Sequence, residues 1–249
     1  MICPKCQHEQ PSGHGECLQC GIVFARYAAF EARRAEAVPP SDATGIESAD
    51  DDSSFIKTLL LPVPSDVNPL ILLGRAILLV LLAIWALKFM SAAIGSNYAG
   101  RSVLHLINLP FHEAGHIVFS PFGKFIQTLG GTIGQLVMPI ICVGVLLIRT
   151  RDAFGAAVAL WWLAESFMDI APYINDARAL DLVLLGGVTG KDVIDYHDWE
   201  YILRHMGLLR MDHALAMAAQ FTGIVLMASA LVWAGTNIWI QYRIFRESN

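Results

Sequence analysis

The sequence predicts an all-α protein: a multi-pass transmembrane helical bundle of about five spans, preceded by a small N-terminal zinc ribbon. Three observations predict it. Of 249 residues, 55% are hydrophobic and only 16% charged, with a mean hydropathy of +0.51, where soluble domains carry about a quarter charged residues. The apolar residues lie in blocks long enough to cross a bilayer, which takes roughly 20 residues of helix. Four of the five cysteines fall near the N-terminus as two C-x2-C pairs.

The chain divides at 1–24, 25–60 and 61–249. In the first part, "CPKC" and "CLQC" put Cys3, Cys6, Cys17 and Cys20 at a spacing that directs four thiolates to one centre, as tetrahedral zinc requires. A module this small lacks a core, so a structural metal would supply much of its folding energy. The pattern is similar to the zinc-ribbon family, whose members mostly mediate contacts. His8 and His14 read as surface residues. Residues 22–37 have helical composition, and the acidic "SDATGIESADDDSS" that follows Pro39-Pro40 reads as a flexible linker.

Five spans are expected, over residues 69–95, 102–120, 125–148, 153–170 and 214–240. A polar segment, 175–213, lies outside the hydrocarbon, and the period of Trp199, Ile202, Leu203 and Met206 predicts an amphipathic helix on the membrane surface. "MICPKC" does not read as a secretory signal, which would open with a basic start and a hydrophobic run, so the first residues are expected on the cytosolic side. With the N-terminus inside, the loops carry ten Lys and Arg on that side against five outside. That favours an integral protein of the cell (inner) membrane with a cytosolic N-terminus. No basic stripe marks a nucleic-acid partner.

The second span holds "HEAGH", an H-E-x-x-H pattern. On a helix, His112 and His116 lie on one face and can bind one zinc ion, while Glu113 at its edge can take a proton from a water. Ionisable residues inside an apolar span mark function by default. A catalytic zinc takes three protein ligands. Asp176 is the expected third, because Pro172 loosens the end of the fourth span so that Asp169 and Asp176 can turn inward; Asp169 and His197 are the alternatives.

These residues resemble the site-2 protease family of intramembrane zinc metalloproteases, which carry H-E-x-x-H on one span and an aspartate two helices later in a motif like N-x-x-P-x-x-x-L-D-G. The match falls on "HEAGH" at 112–116 and "DIAPYINDA" at 169–177, with Asn175 and Ala177 departing from the family's leucine and glycine. The resemblance implies hydrolysis of peptide bonds in transmembrane or membrane-proximal segments by zinc-activated water. With the structural zinc read from the cysteine spacing, that makes two expected zinc ions, one catalytic and one in the ribbon. The partners would be a membrane-protein or peptide substrate, the lipid bilayer and a cytosolic protein bound by the ribbon. The alternative is a non-catalytic membrane adaptor whose metal is structural; zinc sensing or transport ranks behind both.

Other polar residues have two readings each. Gly130 and Gly134 suit close helix packing, and Gln135 beside them could hold a substrate backbone or oxyanion. Asn108 could orient His112, and His105 lies on nearly the same face. Glu165 reads as a polar contact within the bundle, and Cys142 as inert packing.

Overall fold

The computed structural model describes residues 1–36, 56–64 and 66–248; the expected acidic linker lies outside them. The chain forms two units, Met1–Ser48 and Ala49–Asn249.

The N-terminal unit is built from two similar turns. In each, the first cysteine's amide bonds a carbonyl five residues on (Cys3 to His8, Cys17 to Ile22), and its carbonyl accepts from the residue four on (Gln7 and Gly21). Gln7 and Gly21 have φ of 61° and 67°, which turns the chain back and directs both sulfurs of each pair inward. The turns are closed by the antiparallel bridges Ile2–Glu9 and Glu16–Val23. Buried Gln10 ties them together, donating to the Glu16 carbonyl and accepting from the Leu18 amide. Helix α1, Phe24–Glu36, follows.

The second unit contains α2 (Pro69–Ser91), α3 (Val103–Phe119), α4 (Lys124–Gly144, continued by a π turn over Val145–Arg149), α5 (Ala153–Asn175), α6 (Asp198–His205) and α7 (Asp212–Glu247). Among the described residues, four helical stretches are long and apolar enough to cross a membrane: α2, α4 with its π turn, α5, and Leu209–Glu247 containing α7. By length and composition the chain is an integral membrane protein. The expected span that holds HEAGH is the exception. Helix α3 has 17 residues, about 25 Å at 1.5 Å per residue, short of a hydrocarbon core of about 30 Å.

Burial separates the helices by role. In its most apolar window α5 is 72% buried, against 11% for α2 and 22% each for α4 and α7, so α5 is the axis and the others leave many of their leucines and isoleucines exposed on the outside of the bundle. Small residues let α7 close on α5: a Cβ at Gly223 would lie 2.8 Å from the Ala164 carbonyl. Helices α3 and α4 approach more closely still. A Cβ at Gly115 would fall 2.0 Å from the Gly130 carbonyl, and one at Gly134 2.4 Å from that of Phe111. The Gly130/Gly134 pair therefore serves packing.

Two expectations are corrected. The fourth span does not loosen at Pro172 but continues through it to Asn175; proline stiffens φ and removes one donor, and neighbouring helices hold the turn. The helix expected on the membrane surface is confined to α6, and it is docked on the bundle: Ile202 and Leu203 are fully buried, and Leu203 packs in the cluster containing Ile170, Ile174 and Ala216.

Candidate metal centres

In the N-terminal unit the Sγ atoms of Cys3, Cys6, Cys17 and Cys20 lie within 4.8 Å of one another. Cys3 and Cys20 are 3.8 Å apart, Cys6 and Cys17 3.6 Å. A tetrahedron with Zn–S arms of about 2.3 Å has edges of about 3.8 Å. The thiols also titrate in conflict. Burial opposes the Cys3 thiolate, yet the amides of Cys6 and Lys5 bring it down to about 6. The His8 amide favours the Cys6 thiolate, but burial and the thiols of Cys20, Cys3 and Cys17 push it up to about 12. Four thiolates cannot gather without a cation, and a divalent ion removes the conflict. This cluster can hold a metal.

The second centre lies where α3, α4 and α6 meet. His112 and His116 stand on one face of α3, with ring centroids 4.8 Å apart. The Nδ1 of His116 is 2.8 Å from the Gln127 carbonyl oxygen. A carbonyl can only accept, so Nδ1 carries a proton and Nε2 faces away. The Nδ1 of His112 meets Oε1 of Gln135 at 3.3 Å. The two Nε2 atoms converge on one oxygen, Oδ2 of Asp198, at 3.0 and 3.2 Å. With Nδ1 of His116 committed to a carbonyl, its Nε2 and the Asp198 oxygen are two acceptors facing each other, which requires a cation between them, either a second proton on the imidazole or a metal ion.

The geometry fits a metal. Tetrahedral arms of about 2.0–2.1 Å give edges of about 3.3 Å, close to both distances. Gly131 leaves the space open: a Cβ there would lie 2.6 Å from the Nε2 of each histidine. In the metal-free protein, burial works to raise the Asp198 carboxyl, but hydrogen bonds from His112 and His116 more than offset it and hold the group at about 2.

Asp198 is delivered by the start of α6. Its amide donates to the Tyr173 hydroxyl at 2.9 Å, and His197 before it caps the helix, Nδ1 accepting from the Glu200 amide. The expected third ligand, Asp176, is not at the centre. Its carboxylate accepts from the amides of Asp181 and Leu182, both at 3.0 Å, and lies 3.4 Å from Nε2 of buried His197. Because α5 continues through Pro172, Asp176 stands at the helix end, where it fastens the loop that carries Asp198. Neither alternative ligand joins the histidines. Asp169 accepts from Gln135 and Asn108, and His197 faces Asp176.

Asn108, expected behind His112, instead donates to Glu165 and Asp169 and accepts from Trp162. Gln135 stands behind His112 in its stead. Asp198 has no signal of its own in the sequence beyond its position next to His197, since it lies 86 residues from His112.

A cavity of about 460 Å³ opens beside the centre. Glu113, His112, His116 and Asp198 form its polar wall, and Leu106, Leu109 and residues 182–185 an apolar one. Comparison with protein-family models, curated proteins and solved structures finds no match to this chain. The functional reading therefore rests on the residues themselves.

Proposed function

We propose that the chain is a membrane-embedded zinc peptidase resembling the site-2 protease family, with His112, His116 and Asp198 as ligands and Glu113 as general base. One observation carries this reading: both imidazoles of an H-E-x-x-H helix aim Nε2 at a single carboxylate oxygen, with the glutamate in the wall of the adjoining cavity. A zinc ion held by these residues would polarise a substrate carbonyl and make a bound water acidic enough to ionise near neutral pH.

The chain's own residues do the rest. Glu113 accepts the water's proton and returns it to the leaving amine. Gln127 and Gln135 hold the two imidazoles, and Tyr173 holds the backbone of Asp198. The leucine-lined wall suits an extended apolar peptide, whose carbonyls are free of helical hydrogen bonds. A transmembrane substrate must unwind locally to present one. The N-terminal four-cysteine unit, carrying a structural zinc, would recruit a cytosolic partner or substrate tail, with the N-terminus on the cytosolic side of the cell membrane.

The test is cleavage of a peptide library by the zinc-loaded protein in detergent, read by mass spectrometry. Glu113→Gln should keep both zinc ions and lose cleavage by about 10²–10⁴-fold. Equal cleavage by the variant would reject Glu113 as the base. Cleavage by neither form, with both zinc ions bound, would favour the adaptor reading.

A further inference from the structure

We propose that Asp169, acting through Gln135, fixes which nitrogen His112 presents to the metal, a positioning role that rests on the metal-centre reading above. His116 needs no such help, because a backbone carbonyl, which can only accept, sets its orientation. The partner of His112 is a side-chain amide, and an amide can turn either its oxygen or its nitrogen toward the ring. With the nitrogen forward, His112 Nδ1 would have to accept, Nε2 would carry the proton, and no lone pair would face the metal.

Asp169 removes that ambiguity. Its side chain is 2% exposed. Oδ2 accepts from Gln135 Nε2 at 2.9 Å and from Asn108 Nδ2 at 3.1 Å, and His105 Nδ1 lies 3.0 Å from both carboxylate oxygens. Because the indole of Trp162 can only donate, it takes Asn108 Oδ1 and turns Asn108 Nδ2 toward Asp169, so Oδ2 is an acceptor whichever way Gln135 points. Glu165 nearby has one donor, Asn108, and its Oε1 has no partner in a fully buried position, so it does not compete for the Gln135 amide. The Gln135 amide must then turn its nitrogen to Asp169 and its oxygen to His112. Nδ1 donates, and Nε2 is left for the metal.

The relay is itself held. Asn108 cannot rotate freely, because its Oδ1 accepts from Trp162 Nε1 at 2.8 Å. The path runs from α5 (Asp169) through α4 (Gln135) to α3 (His112), so the presentation of a ligand depends on three helices being in register. Partners of this kind typically change metal affinity by about 10–100-fold when removed.

The test uses the full-length protein in detergent with Zn2+ as the probe, competed against a chelator, and Co2+ substitution to separate the sites. Of the two centres, only the four-cysteine unit gives sulfur-to-cobalt charge transfer, so it serves as an internal reference. Gln135→Met keeps the volume but loses both amide groups, and Asp169→Leu removes the acceptor. Both should weaken metal binding at the histidine centre by about 10–100-fold and alter its cobalt spectrum. Asp169→Asn, which retains an acceptor for Gln135, should fall less. Wild-type affinity in Gln135→Met and Asp169→Leu, while His112→Ala loses its metal, would overturn the relay and leave the centre standing. Two zinc ions retained by His112→Ala would overturn the centre itself. If Asp169→Leu loses its helical signal, Gln135→Met, on another helix, decides.

Discussion

The two metal centres solve one problem in opposite ways. The four-cysteine cluster draws all its donors from residues 3–20, on two turns with the same hydrogen-bond pattern. The histidine centre draws two donors from one helical turn and the third from 86 residues away, with helix packing in between. The first has almost no core and would depend on an ion for its folding; the second sits in a bundle whose buried axis exists without one. Local motifs thus specify a local site, whereas a site between helices depends on the fold for its last donor.

That contrast can be broken at either end. The largest effect is expected in the N-terminal unit, where apparent zinc-binding energies of about 10–16 kcal/mol are folding energy. Cys17→Ser or prolonged chelation should unfold residues 1–24 and leave the bundle's helicity intact, as read by hydrogen exchange along the full chain. A folded, protected N-terminal unit without metal would erase the difference between the centres. The second effect belongs to Asp198→Ala, which should remove zinc from the histidine centre and leave the N-terminal zinc and the helix content unchanged. Metal analysis of the purified variant checks it, and a retained second zinc would reject Asp198 as the ligand.

Asp176→Ala sharpens the contrast by separating a ligand from its support. It removes an acceptor from two loop amides and leaves His197 without its facing carboxylate, a loss of about 3 kcal/mol in local stability. Faster exchange at Asp181 and Leu182 should accompany a smaller fall in zinc affinity than Asp198→Ala produces. The smallest effect is a pH dependence of the metal-stripped protein. The Asp198 carboxyl is depressed to about 2 from an ordinary value near 3.9, so its contribution of about 2 kcal/mol is complete above pH 4 and lost as the pH falls toward 2. Asp198→Asn should flatten that part of the stability curve.

What can be read from the sequence follows the same division. The four-cysteine geometry is implicit in its spacing, and the pairing of His112 with His116 in the helical period. Four of the five expected spans correspond to helices long enough to cross, because hydropathy reports a helix's own composition. The short length of α3 is itself nearly legible: the expected span, 102–120, is only two residues longer, and Arg101-Ser102 and Ser120-Pro121 bound the helix. Asp176 reads as a ligand only if proline opens the helix. In the bundle, neighbours support the helix through Pro172, and the carboxylate meets loop amides. Asp198 and the contacts of Asn108 and Gln135 depend on which helices touch, and no local pattern encodes that.

The distance along the chain between HEAGH and Asp198 also sets an order of assembly. A ribosome delivers the two histidines well before the third donor, with α4, α5 and the loop fastened by Asp176 still to be made. Through that interval the imidazoles can hold an ion only weakly. The N-terminal unit, by contrast, has every donor as soon as Cys20 emerges. If both centres take metal, it would enter this protein twice, early at one end and late in the bundle, and the late step would require that α3, α4 and α6 have already met.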